Sequence, residues 1–542
     1  MKRDYFYKSL FDEINDEVKT PPNDAEVVFT PSIVAKLKSY TLQNYTTDVE
    51  NNGLENTWNY ICDYVLTYGD NADFLNVKNF GEMYEIGLAV RDKQLKKNNG
   101  QYYTPDDIAL VMSKWFDTLD GSNICDVACG TGKLILTFLN LIGKEKAVQL
   151  IRDGKLFLYD NDAIALNICK TSILLKYGKD LKDKINIVCG DFMSKNISLP
   201  ENCKVISNPP YTAIQHVGKD WKETPVLNNS RELYAVFMEK IITNCKSAVI
   251  ITPYSFISGT KFYSLRKIIN RCSGEIYSFD NVPGNIFCGR KHGIFNTNTS
   301  NSVRAAITVL KTEGDAEGFR LTPMIRFKSS ERQKLLKCEV LENFLSESRQ
   351  KISDKITAYY KCFKELQPLF DCLIQKSENH KLEELVSKNG QYTLSMPNTC
   401  RYFTTAFPGI MNRNGQTVLH FNDEKKFDYV YCLINSSFAY WHWRLYDGGI
   451  TYPSGLLMKM PIIYNHLSED DHKFFKETFD EMSRRAGEFV IKKNNVGIQE
   501  NIKYPRLYRD AINQRFLKIL GLKIDNSTLD LIHSNTALEV KA

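Results

Sequence analysis

The chain has 542 residues, 43% of them hydrophobic, and carries 70 basic against 64 acidic side chains for a net charge of +6. That size suits two to four globular domains, and the mild positive balance permits a nucleic-acid partner without demanding one. No run of about 18 apolar residues marks a membrane span, the opening "MKRDYFYKSLFDEINDE" turns acidic without an apolar signal core, and the 14 cysteines lack metal-site spacing. A cytoplasmic protein with reduced thiols, no metal and no membrane contact is expected.

Residues 1–95 read as a helical N-terminal domain. "FGEMYEIGLAVRDKQLKK" has apolar residues at helical spacing and ends in basic residues, which suit a helix C-terminus. Residues 96–315 alternate short apolar runs with helical stretches, the pattern of βα units and a parallel sheet. Within them "NICDVACGTGKLILTFL" predicts a strand, a tight turn at Gly130 and Gly132, and an apolar helix. Ile135 stands where a dinucleotide fingerprint would have its third glycine, and no phosphate-binding Lys-Ser/Thr pair follows, so the ligand need not carry a pyrophosphate. A plain βα turn explains these glycines about as well.

The next strands raise the odds of a ligand. "KLFLYDNDAIALNICKTSILL" ends a strand in Asp160, whose carboxylate can accept from ribose hydroxyls; Asp162 can cap the following helix. "INIVCGDFMS" leads into Asp191 and Phe192, suited to an amino group and a ring face of adenine. Turn chemistry is the bland alternative for each. Three successive strand ends with such residues on one edge are hard to read as three caps, because open α/β sheets bind ligands at that edge. "CKVISNPPY" then ends a fourth strand in two prolines, which cannot continue a ladder.

In this order the segments resemble the gamma-type N6-adenine DNA methyltransferases with an Asn-Pro-Pro-Tyr motif, the family of type I modification subunits and type IIG-like enzymes. "GQYYTP" is similar to the family's segment over the methionine part of the cofactor. "DVACGTG" matches its glycine motif, with Val127 where proline is usual. "ELYAVFMEK", "SAVIITPYSFISGTKFYSLRKII" and "NIFCGRKHGIF…VRAAITVLKT" resemble later motifs. The resemblance covers roughly 80–312. It implies an α/β, class I S-adenosylmethionine-dependent (Rossmann-like) core and S-adenosyl-L-methionine as cofactor. It also implies a base flipped out of double-stranded DNA, with a separate specificity or restriction subunit as a further partner. Carried over by position, it implies catalysis by Asn208, Pro209, Pro210 and Tyr211. Cofactor binding would fall to Tyr102, Tyr103, Thr104, Pro105, Asp126, Ala128, Gly130, Gly132, Asp160, Asn161, Asp191, Phe192 and Asn208.

The chemistry of the motif supports that reading. An amino group conjugated to a purine is a poor nucleophile. The Asn208 side-chain oxygen and the Pro209 carbonyl can draw both N–H bonds, favouring a pyramidal nitrogen, and the prolines hold these acceptors in place. Tyr211 offers a flat face to a base outside its stack. N4 of cytosine needs the same acceptors. Protein-glutamine methyltransferases share the motif but lack a long C-terminal extension, and an intact motif argues against a non-catalytic DNA-binding subunit. Glu17-Val18-Lys19 has no strand-borne Asp before it, so modification without cleavage is expected.

Residues 316–542 are expected to form a mixed α+β target-recognition and C-terminal helical region. "LTPMIRFKSSERQKLLK" and "SESRQKISDKITAYYKCFKELQPLF" read as charged helices, "GQYTLSMPNTCRYFTTAFPGI" as irregular strands and loops, and "YPRLYRDAINQRFLKILGL" as an amphipathic helix after a proline. Tyr440, Trp441 and Trp443 are better explained as core than as base-contacting rings, with basic side chains making phosphate contacts.

Overall fold

Apolar runs of four to seven residues between 123 and 321 assemble into one eight-stranded sheet. A computed structural model describes Cys62 and residues 104–287, 291–292, 295–296, 303–400, 402–495 and 497–538. The expected N-terminal helical domain therefore lies outside the described residues, apart from the buried, helical Cys62.

The strands are β1 (Asn123–Val127), β2 (Leu156–Asp160), β3 (Ile185–Cys189), β4 (Cys203–Ser207), β5 (Ser247–Pro253), β6 (Ser273–Phe279), β7 (Ala305–Lys311) and β8 (Gly318–Leu321), in the order β8-β6-β7-β5-β4-β1-β2-β3. All pair in parallel except β7, which runs antiparallel to both β5 and β6. Helices α1 (Asp106–Asp117), α2 (Lys133–Ile142), α3 (Lys144–Arg152) and α4 (Ala163–Tyr177) pack on one face. The other face is covered by α5 (Pro225–Ser230), α6 (Leu233–Asn244) and α7 (Tyr263–Ile269). Strand β5 shows why its run Ala248–Ile251 is apolar: Val249 and Ile251 join the first layer, Ala248 and Ile250 the second. This is the α/β, Rossmann-like core expected from the sequence.

Lys204 is the exception inside β4. It is buried, yet its Nζ donates to the carbonyls of Phe116 (2.9 Å) and Leu119 (3.1 Å). It thus satisfies the end of α1, where carbonyls lack partners and the helix dipole favours a cation.

The sheet's last strand lies beyond residue 315, so the core's sheet draws residues from the expected C-terminal region. A second apolar core spans residues 362–532. It holds an antiparallel sheet of β9 (Tyr392–Pro397), β10 (Phe407–Pro408) and β11 (Gln416–Phe421), with helices α8 (Gln367–Ser377), α9 (Glu424–Asn435), α10 (Ser437–Tyr446), α11 (Glu469–Arg484) and α12 (Arg506–Leu520). Tyr440, Trp441 and Trp443 are all buried there, as their core reading expects.

Two helical expectations are corrected. Residues 322–366 hold only short turns of helix, and α8 begins at Gln367. The backbone bonds of this strap go to distant partners: Gln350 to Phe319, Tyr359 to Ile257 and Lys361 to Leu445. The charged, helix-like sequence is thus overridden by burial of Tyr359 and Cys362 along an extended path between the cores.

Asp280, just after β6, anchors the junction. It accepts from Arg304 (2.9 Å), Arg326 (2.8 Å) and, on α10, Arg444 (2.8 Å), and Arg326 also donates to Tyr440. Burial would raise the Asp280 carboxyl, but the three guanidiniums hold it well below the usual range. Among the described residues no helix is long and apolar enough to cross a membrane.

Candidate active site

Strand order makes the site. The chain runs β1, β2, β3 outward in one direction, then returns to place β4 on the other side of β1. The crevice at the carboxyl ends of β1 and β4 is the switch point where open α/β sheets bind ligands. Register pairs Val127 with Ser207, so the glycine turn after β1 and the prolines after β4 leave the sheet side by side. The Ser207 hydroxyl donates to the Val127 carbonyl at 2.6 Å and ties the two ends.

The turn after β1 is left-handed at Ala128 (φ 59°), Gly130 (φ 53°) and Gly132 (φ 92°). A side chain at Gly132 would collide with Cys169 on α4, so glycine there permits close helix packing. A Cβ at Gly130 would meet nothing within 4 Å among the described residues. The Gly130 amide donates to Asp160 Oδ2 at 2.7 Å, and the Asp162 amide to Asp160 Oδ1 at 3.0 Å. Asp162 caps α4 through the amides of Ile164 and Ala165, as expected.

Three acidic groups line this region. Asp126 is wholly buried; one oxygen accepts from the Ile135 amide at 3.1 Å and the other has no hydrogen-bond partner among the described residues. Burial raises its carboxyl well above the usual range, and neighbouring Asp160 raises it further. Asp160 is also raised, mainly by burial and against the pull of the Asp162, Gly130 and Asn161 amides. Asp191 is exposed and accepts from Trp221 Nε1 at 2.5 Å and the Met193 amide at 2.9 Å. Trp221 was not anticipated; a lone tryptophan in the charged loop "GKDWKE" was the available signal. Asn161 is exposed. Phe192 is 4% exposed, its ring edge-on to Tyr159, tilted on Phe237 and covered by Lys240. Little of that ring is left open to a ligand.

The motif after β4 is brought to a residue 104 positions earlier. Asn208 Nδ2 donates to Thr104 Oγ1 at 2.9 Å, and Asn208 Oδ1 accepts from the Tyr211 hydroxyl at 2.7 Å. That hydroxyl also lies 3.0 Å from the Ile251 carbonyl at the end of β5. Pro209 is buried, Pro210 and Tyr211 half-buried, and the Tyr211 ring stands edge-on to Tyr234 and Phe287. Thr104 is buried and Pro105 caps α1, while Tyr102 and Tyr103 lie outside the described residues. Among the described residues no group of His, Cys, Asp or Glu could hold a metal.

The donor set suits a nucleoside with a positive centre better than a polyphosphate. The crevice offers carboxylate acceptors for hydroxyl and amino groups, and no described residue comes within 4 Å of a Cβ at Gly130. The carboxyls of buried Asp126 and half-buried Asp160, both raised by desolvation, would be relieved by nearby positive charge.

A model of the family described as N-6 DNA Methylase matches residues 76–397, more than half of the chain. The methylase subunit of type I restriction enzyme MpnII from Mycoplasma pneumoniae is 27% identical over 146 residues, covering 24% of this chain and 25% of the relative. The methylase subunit of type I restriction enzyme EcoEI from Escherichia coli is 26% identical over 220 residues, covering 38% of this chain and 43% of the relative. The matches thus span less than half the length of either relative. A solved DrdV–DNA complex aligns with 75% of this chain and 59% of its own, at a TM-score of 0.46 and 13% identity.

Proposed function

This chain belongs to the N-6 DNA methylase family, and from that footing we propose that it methylates the N6 amino group of adenine in double-stranded DNA, at sites chosen by residues 316–542, with S-adenosyl-L-methionine as donor. The observation that carries this reading is the position of Asn208. It leaves β4 at the switch point, beside a glycine turn uncrowded by any described residue and beside an acidic edge.

The division of labour follows from the residues. Asp160 and Asp191 hold hydroxyl and amino groups of the cofactor; Gly130 leaves room for it; Thr104 and Pro105 close one side of the crevice. The cofactor, when bound, supplies an electrophilic methyl group. Asn208 Oδ1 and the Pro209 carbonyl accept the two N–H bonds of the adenine amino group, which turns its lone pair out of conjugation. Pro209 and Pro210 fix their own φ, so these acceptors are in place before the base arrives. Tyr211 supports the base outside the helix. Basic side chains of residues 316–542 would contact DNA phosphates, making binding salt-dependent. A separate specificity or restriction subunit is a further partner under this reading.

Sequencing with modified-base detection of genomic DNA, from a host expressing only this chain, tests it. N6-methyladenine within one recurring motif is expected. Unmodified DNA in the presence of soluble protein would mean that another subunit is required or that the substrate is different; modified cytosine would replace adenine as the target.

A further inference from the structure

Lys361 lies in the strap between the two cores, 2% exposed, and its Nζ has no hydrogen-bond partner among the described residues. The ammonium sits over the Tyr254 ring, 5.5 Å from its centroid, a weak substitute for three hydrogen bonds. On α10, Trp441 Nε1 is likewise buried without a partner among the described residues. Both side chains line one cavity of about 20 Å³, against the roughly 10–15 Å³ that a single water needs. We infer that this cavity binds one monatomic anion of chloride's size, held by Lys361 Nζ and Trp441 Nε1.

Charge and donor balance select an anion there. Arg326 and Arg444 also line the cavity, and with Arg304 they share the single carboxylate of Asp280. Around Lys361 itself, Asp447 favours the charged form while Arg444 and, on α7, Arg266 oppose it. Asp447 already accepts from the Tyr254 hydroxyl at 3.2 Å and the Gly449 amide at 2.7 Å. The junction therefore buries an excess of positive charge, and burial pushes the Lys361 ammonium down to about 7. A charge in such a place gains a counter-charge or gives up its proton. An ammonium and an indole N–H can only donate. A water molecule meeting both would still have two protons to place, and the Ser534 and Thr536 hydroxyl oxygens on the cavity wall already accept from the Thr536 and Leu538 amides. A halide accepts from every donor and asks for no acceptor in return. Polyatomic anions such as phosphate exceed a space of this volume. The walls come from the strap, from α10 and from residues 531–537, so an anion held there fastens the end of the catalytic sheet to the second core.

The test is urea unfolding of the full chain titrated with sodium chloride, with ionic strength held constant by sodium gluconate, whose anion is too large for the cavity. For the wild type at pH 6 the unfolding midpoint should rise with chloride and saturate, as linkage to a folded-state site requires. Because Lys361 gains its proton near pH 7, half-saturation should need about tenfold more chloride at pH 8 than at pH 6. Trp441→Phe keeps a ring and removes one N–H, and should raise the half-saturating concentration at least about tenfold. Lys361→Met should lose the saturable rise. Crystals grown with bromide in place of chloride should show its anomalous signal in the cavity beside Lys361. A chloride effect that persists in Lys361→Met would place the ion elsewhere, and a rise that never saturates would be a general salt effect. Water in the cavity of bromide-grown crystals would mean that the junction fills without an anion. Each of these three results would overturn the site.

Discussion

The amide of Gly130 donates to the Asp160 carboxylate at 2.7 Å across 30 residues of sequence. The carboxylate proposed to hold the cofactor's hydroxyls thus also braces the turn over which the cofactor would lie. Asp160→Ala should weaken S-adenosylmethionine binding by about 1–3 kcal/mol, as for a lost hydrogen bond to a charged group, and lower the melting temperature as well. Asp191→Ala, which removes an exposed carboxylate, should weaken binding with little change in melting temperature. Calorimetric titration and thermal unfolding of both variants check this; unchanged affinity in Asp160→Ala would sink the assignment.

Much of this site was legible in the sequence because its parts sit at strand ends. A strand end has a local signature: β-rich residues, then glycine, Asp or proline. The glycine turn, Asp160, the Asp162 cap and the Pro-Pro elbow could all be placed that way. The pairing of Asn208 with Thr104 and that of Asp191 with Trp221 could not, since each closes a long loop through side chains alone. The strap at 322–366 misled for a related reason. Its charge pattern is helical, but its backbone bonds to Phe319, Ile257 and Leu445 depend on surfaces formed elsewhere.

The junction between the cores should respond asymmetrically to substitution. Asp280 faces three arginines, so Asp280→Asn leaves buried guanidiniums without their counter-charge and should cost about 3–5 kcal/mol. Arg444→Met leaves Asp280 with two partners and also removes like-charge repulsion, so it should cost much less. Urea unfolding of the two variants measures the difference. Equal losses would mean that packing rather than charge holds the junction.

Lys361 gives a pH signature. It is 2% exposed, and burial pushes its ammonium down to about 7. Between pH 7 and the unfolded value of about 10.4, the unfolded chain holds a proton that the folded chain does not, so this group makes stability rise with pH. Below pH 7 both states are protonated and the folded state carries the full burial penalty. Lys361→Met should therefore be most stabilising near pH 6–7, with the gain over wild type shrinking by roughly 2–4 kcal/mol as pH approaches 10. Denaturant unfolding at several pH values would show a constant gap if the ammonium titrates normally.

A chain ending at residue 315 should fail to fold. It would lose β8, whose Phe319 and Leu321 are fully buried, together with two of the three partners of Asp280. A chain ending there that is soluble, shows native-like circular dichroism and binds cofactor would establish the catalytic core as autonomous.

The proposed role of Asn208 is to activate an adenine amino group in DNA. It is tested most directly by incubating the purified full chain with duplex DNA and methyl-deuterated S-adenosylmethionine, then analysing the digested nucleosides by mass spectrometry. Deuterated N6-methyldeoxyadenosine is expected with the wild type, and a loss of about 100- to 1,000-fold in Asn208→Ala with cofactor binding retained. Label in cytidine or in protein instead of adenosine, or an undiminished yield from Asn208→Ala, would contradict it.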